Sequence, residues 1–177
     1  MNWFRRHHPF RLFVDNSVYF ITASTIGKLH ALAKNGQKEV FLKVLDKSVG
    51  RFDIELIGWI LLANHYHMLI RLAKGSLVKN FIQNLHSNSA HLLNKLEEQP
   101  GRKLWWNYWD RCMRNEADFY THLNYIHHNC IKHGYTKRMR DYKWSSYMEY
   151  LKRYGKEWLL SCFAQHPIKD FTPQGDE

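Results

Sequence analysis

Residues 53–72 read DIELIGWILLANHYHMLIRL, and this stretch decides how the rest of the chain is read. Runs rich in Ile, Leu and Trp lie on either side of Ala63-Asn64, the pattern of two short strands joined by a turn. The second run opens with His65-Tyr66-His67. Successive side chains of a strand point to opposite faces, so His65 and His67 point one way and Tyr66 the other. Neutral imidazole is a good ligand for a divalent ion, and two on one face converge without help from distant parts of the chain. The pair read alone is equally compatible with a polar edge strand or with histidines satisfied by backbone carbonyls. A third ligand from elsewhere has to decide.

Working outward, residues 17–25 (SVYFITAST) are β-branched and aromatic and read as a strand. Residues 37–50 place Val40, Phe41, Val44 and Leu45 on one side and Lys38, Lys43, Asp46 and Lys47 on the other, the period of an amphipathic helix ending at Gly50. Residues 77–98 carry Val78, Phe81, Ile82, Leu85, Ser89, Leu92, Leu93 and Leu96 at the spacing of a long helix. The aromatic segment KLWWNYWDRCMRN (103–115) reads as a further strand. Asn115 followed by Asp118 is a helix-start signature for residues 116–133, closed by Gly134. The order strand, helix, strand, strand, helix, strand, helix predicts an α+β sandwich, an antiparallel sheet with helices packed on it.

A chain of 177 residues that is 45% hydrophobic can build one core. Lys and Arg outnumber Asp and Glu by 26 to 16, which gives a net charge of +10 and a field that attracts polyanions. Nucleic acid is the expected partner class. Cys112, Cys130 and Cys162 have neither the even number of a disulfide framework nor CxxC spacing, which fits a reducing cytoplasm. The basic N-terminus lacks a signal-peptide core, and the longest apolar run, IGWILLA, is too short to cross a bilayer, so no membrane partner is expected. The last dozen residues, with two of the four prolines, read as a frayed tail.

The predicted helix at 116–133 has its apolar stripe at Phe119, Leu123, Ile126 and Cys130. Tyr125 and Asn129, four residues apart, stack at the border of that stripe and present a phenol and an amide side by side. Such a pair has a use beside a metal. A tyrosine hydroxyl attacks a phosphodiester when an ion polarises the non-bridging oxygens, giving a covalent phosphotyrosine and a free hydroxyl on the departing strand. The bond energy is kept, so rejoining needs no ATP, and the chain has no GxxxxGK[ST] loop.

Taken together, these residues resemble the single-tyrosine HUH (IS200-like) transposases, and within them the REP-associated tyrosine transposases. His65-Tyr66-His67 resembles the family's His-hydrophobic-His element, and Tyr125-Ile126-His127-His128-Asn129 its Tyr-Ile-His-x-Asn helix. YFITAST in the first strand, NEADF before the tyrosine helix and WSSY at Trp144 to Tyr147 extend the likeness over roughly residues 4–150. The resemblance implies a ferredoxin-like fold with the catalytic Tyr125 on a C-terminal helix and His65, His67 and Asn129 holding Mg2+ or Mn2+. It further implies cleavage and rejoining of single-stranded DNA at hairpins through a 5′-phosphotyrosine, by an endonuclease and strand transferase of the cytoplasm, associated with the nucleoid. The transposase domain is expected over residues 1–150, with a basic N-terminal arm, and residues 151–177 as an extension ending in a flexible tail. Monomer and homodimer stay open.

The chain departs from the family where Ala63 and Cys130 replace the usual prolines and where bulky Tyr66 replaces an aliphatic residue. The change at Cys130 lets the helix continue to His133. DNA contacts are expected from Arg5, Arg6 and Arg11, interleaved with Trp3, Phe4 and Phe10 for stacking on unpaired bases. A second cluster, Lys132, Lys137, Arg138, Arg140 and Lys143, follows the tyrosine helix, and Lys74 and Lys79 add weaker support. Two other readings remain: a relative that binds hairpin DNA without cutting it, and a zinc site made by His127, His128, Cys130 and His133.

Overall fold

A computed structural model describes residues 14–168. The elements in chain order are β1 (Ser17–Thr25), α1 (Asn35–Phe52), β2 (Glu55–Leu61), β3 (His65–Leu72), α2 (Val78–Leu96), β4 (Trp105–Cys112), α3 (Glu116–Lys132) and α4 (Tyr147–Gln165). The four strands form one sheet in the order β2-β3-β1-β4, and every neighbouring pair is antiparallel. A βαββαβ chain in this strand order is the α+β sandwich that the sequence pattern predicts, in the ferredoxin-like form that the resemblance implies.

Alternation along the strands sorts the core into two layers. Tyr19, Ile21 and Ala23 of β1 and Tyr66, Met68 and Ile70 of β3 join Phe41, Val44 and Leu45 of α1 and Phe81, Ile82 and Leu85 of α2. On the opposite face, Phe20, Ile60 and Leu69 pack with Leu123, Tyr125, Ile126 and Cys130 of α3. β3 is therefore apolar behind and histidine-bearing in front, a consequence of the period of two. Gly58 of β2 allows α3 to come close, since a Cβ there would stand 2.7 Å from Leu123 Cδ1. A side chain at residue 58 would force Leu123 to shift, and a bulky one would press on the helix itself.

The local signals hold for most elements. Asn115 caps α3 by accepting from the Asp118 N–H at 2.8 Å, as the sequence predicts. β2 and β3 turn at Ala63-Asn64, where the Leu62 N–H donates to the His65 carbonyl at 2.9 Å. α1 departs from expectation: it runs past Gly50 to Phe52 and closes on Asp53, which takes a left-handed conformation at φ 50. The Asp side chain tolerates that region, so glycine is not required there.

α4 lies beyond the elements that the sequence pattern predicts. This helix breaks at Gly155 (φ 84, ψ 167), a conformation open to glycine, and it covers the outer side of α3. Asn124 Nδ2 donates to the carbonyls of Cys162 and His166 at 3.1 and 2.9 Å. α3 is thus enclosed between sheet and α4, and its buried surface is wider than one apolar stripe.

Candidate active site

His65 and His67 lie side by side on the α3 face of β3, with ring centroids 5.1 Å apart. The antiparallel register sets them opposite Ser24 and Thr22 of β1. Both are buried, and the His67 ring is stacked on Phe20 at 5.6 Å and 12°. Tyr125 descends onto this pair from α3: its ring stands edge-on to His67 at 5.3 Å. Asn129, one turn further along α3, is fully buried. The predicted nucleophile and the three predicted ligands come from β3 and α3, and the face of α3 that carries Tyr125 and Asn129 turns into the sheet rather than along the border of its apolar stripe.

The hydrogen bonds fix how His65 can act. Asn64 Nδ2 donates to the Lys28 carbonyl at 3.2 Å, which turns Asn64 Oδ1 toward His65 Nδ1, 2.7 Å away. An amide oxygen only accepts, so Nδ1 carries the proton and Nε2 carries the lone pair. This is the arrangement that orients a metal-ligating histidine. The amide of Asn129 is also informative: it is buried, and neither Oδ1 nor Nδ2 has a hydrogen-bond partner among the described residues. A buried amide left that way is expensive unless something else satisfies it, and an ion coordinated through Oδ1 would. The residues present fit a divalent cation.

Lys132 brings a positive charge to the phenol, its Nζ 3.5 Å from Tyr125 Oη and 5.2 Å from the ring centroid. The other predicted DNA contacts are less uniform. Arg138 forms a 2.6 Å ion pair with Asp141, and Arg140 lies 3.9 Å from the same carboxylate, so Asp141 offsets part of that cluster. Lys143 lies over Trp144 with Nζ 4.5 Å from the ring, Lys137 is exposed, and Lys74 and Lys79 are exposed on the way into α2. Arg5, Arg6 and Arg11 fall outside the described residues.

His127 and His133, two of the four residues of the zinc reading, go to different places. His127 Nε2 lies 3.0 Å from Ser146 Oγ, and burial pushes its pKa down to about 3, so it is neutral. The His133 ring instead sits 4.8 Å from His65. Among the described residues no group of three His, Cys, Asp or Glu side chains could hold a metal ion. The zinc reading from this segment is set aside.

The departures from the family pattern have local explanations. The Ala63 N–H donates to Tyr135 Oη at 3.1 Å, a bond proline cannot make, and it ties the loop after α3 to the turn before His65. With Cys130 in place of proline, α3 continues to Lys132 and closes at Gly134. Tyr66 is accommodated behind the sheet between Phe41 and Trp105, with Oη 2.9 Å from His86 Nε2. Burial holds His86 neutral, its pKa lowered to about 3, and raises that of Tyr66, so the phenol donates and the imidazole accepts.

The WSSY segment covers the outer edge of β2. The Ser146 N–H donates to the Trp59 carbonyl at 2.9 Å, the Trp59 N–H to Ser146 Oγ at 3.0 Å, and the Leu61 N–H to the Trp144 carbonyl at 2.9 Å. A free sheet edge is closed, and His127 joins it to α3.

The model of the family described as "Transposase IS200 like" matches residues 14–130. The chain belongs to the IS200-like transposase family. That membership makes it an enzyme acting on DNA. It is 22% identical over 139 residues to a REP-associated tyrosine transposase of Escherichia coli, covering 77% of this chain and 80% of the relative. A Haemophilus influenzae protein described as a candidate REP-associated tyrosine transposase is 22% identical over 160 residues, covering 84% and 90%. Among solved structures, a REP-associated tyrosine transposase bound to a REP hairpin superimposes with a TM-score of 0.76 at 19% identity, covering 93% of this chain and 94% of that one. This IS200-like transposase therefore shares that protein's fold. No helix among its described residues is long and apolar enough to cross a membrane.

Proposed function

We propose that this IS200-like transposase binds hairpin DNA of the REP type and cleaves and rejoins single strands through Tyr125, with His65, His67 and Asn129 holding Mg2+ or Mn2+. The observation that carries the reading is the position of Tyr125 edge-on to His67, on a helix that also buries the unsatisfied Asn129 amide. The hairpin partner follows from the relative whose structure holds a REP hairpin and from the net charge of +10.

In the reaction, Tyr125 Oη attacks the phosphorus of a phosphodiester. The Oη–P bond forms, the bond from phosphorus to the 3′-oxygen breaks, the phenolic proton passes to solvent, and the departing strand leaves with a 3′-hydroxyl after taking up a proton. A bound divalent ion would supply charge stabilisation at the non-bridging oxygens. His65, oriented by Asn64, and His67, held by Phe20, aim the ligand atoms. Lys132 places a cation 3.5 Å from the attacking oxygen, where the phosphate charge arrives. Attack by the freed 3′-hydroxyl on the phosphotyrosine reverses the step and joins strands without ATP.

The test is peptide mapping of protein incubated with a hairpin oligonucleotide and Mn2+. A nucleotide-bearing peptide containing Tyr125 supports the proposal; attachment at another residue overturns it.

A further inference from the structure

We infer that the groove between α1 and α2, on the face of the sheet opposite Tyr125, is a second DNA contact surface that takes the phosphate backbone of a duplex segment. The inference rests on the DNA-binding reading above and adds to it where the duplex, as distinct from the cut strand, is held. Two adjoining cavities of about 540 and 370 Å³ run along this groove and share Arg51, Asn84 and Asn88 in their walls.

The two helices contribute different chemistry. Lys43, Lys47 and Arg51 follow one another at four-residue intervals on α1, so they share one face with successive Cβ atoms about 6 Å apart. None of the three forms a salt bridge with a described residue, in contrast to Arg138 and Arg140, which share Asp141. The facing wall, from α2, is amides and a hydroxyl up to Leu92, with Gln83, Asn84 and Asn88 prominent, and no acidic residue lines either cavity. A solvated helix surface ordinarily mixes charges of both signs. Here the charged residues that line one wall are all cationic, with Asp46 of the same helix outside the lining, and the other wall is neutral and mostly hydrogen-bonding, the pairing that recognises phosphate and sugar oxygens.

The amides are also set in place. Asn84 Oδ1 accepts from Ser48 Oγ at 3.0 Å, which leaves its Nδ2 donors for a ligand. Asn88 Nδ2 donates to the Asn84 carbonyl at 2.9 Å. From residue 80 to residue 92 the α2 wall is roughly 18 Å long. That length accommodates several consecutive phosphates of one strand. The site lies behind the sheet, so a duplex there leaves the Tyr125 face open to a single strand.

The experiment uses the full chain with Lys43→Gln, Lys47→Gln and Arg51→Gln combined, against a control of equal charge change on α4, Lys152→Gln, Arg153→Gln and Lys156→Gln. All six positions are exposed, and melting curves verify folding. The probes are a blunt duplex oligonucleotide and a stemless single strand, titrated by fluorescence anisotropy over a range of salt. The groove variant is expected to lose tenfold or more in duplex affinity, with the slope of log K against log salt shallower by about 2 to 3. Its Tyr125 adduct on the single strand stays at the wild-type level. An unchanged duplex slope, or an equal loss in the α4 control, overturns the inference. Wild-type protein that binds neither probe overturns the DNA-binding reading itself.

Discussion

At the scale of single residues, the site depends on which atom of each imidazole faces inward. Asn64 settles this for His65 by accepting its Nδ1 proton. Asn64→Ala should therefore weaken Mn2+ binding 10- to 100-fold, measured by calorimetry on the full chain, while the melting temperature changes little. Unchanged affinity would remove Asn64 from the account. The shared face of His65 and His67 was legible because strand alternation is a local rule. Asn64 was not, because an Asn before a strand reads equally well as turn chemistry. The approach of His133 to His65 was not legible either, because the two lie far apart in sequence and no local period relates them.

At the scale of elements, the tyrosine helix is positioned by what encloses it. Its cap and start were readable from Asn115 and Asp118, since capping is decided within one turn. Its nearly complete burial was not readable, because that depends on α4 and on WSSY closing the β2 edge. α4 carries Tyr147, Tyr150, Tyr154 and Trp158 at helical spacing, but Gly155 in mid-course reads as a helix break and obscures that period. The close approach at Gly58 gives a sharp prediction. Gly58→Val should lower stability by about 1 to 3 kcal/mol in chemical denaturation, through overpacking against Leu123. It should also reduce adduct formation by more than the unfolded fraction accounts for, because displacing α3 displaces Tyr125. A variant with wild-type stability and full activity would show that α3 does not sit against β2 in this way.

At the scale of the whole molecule, an antiparallel sheet covered by helices was legible from the order of elements, whereas the strand order β2-β3-β1-β4 was not, because it rests on pairing between strands far apart in sequence; the two-layered core reflects alternation within strands. Two uncharged histidines, His127 fully buried and His86 half-buried between Tyr66 and Trp105, make acid stability predictable. His86 and His127 have pKa values near 3 when folded, below the ordinary value of 6.5, so the unfolded chain binds more protons as pH falls through that interval. Stability should be fully present above about pH 6.5 and decline toward pH 3, by roughly 2 kcal/mol for each histidine at pH 5. Denaturant midpoints at pH 7.5 and 5 should differ accordingly, and His86→Phe should flatten the difference. A slope unaffected by that substitution would show that His86 is not the neutral base described.

The central claim is that Tyr125 becomes covalently joined to DNA beside a metal held by His65, His67 and Asn129. The most direct measurement incubates wild type and Tyr125→Phe with labelled hairpin oligonucleotides, with and without Mn2+, and resolves the products on a denaturing gel alongside a native gel shift. The account predicts a metal-dependent covalent band for wild type, absent in Tyr125→Phe, with equal hairpin binding by both. A covalent band that persists in Tyr125→Phe, or hairpin binding by wild type with no covalent band at all, would contradict it.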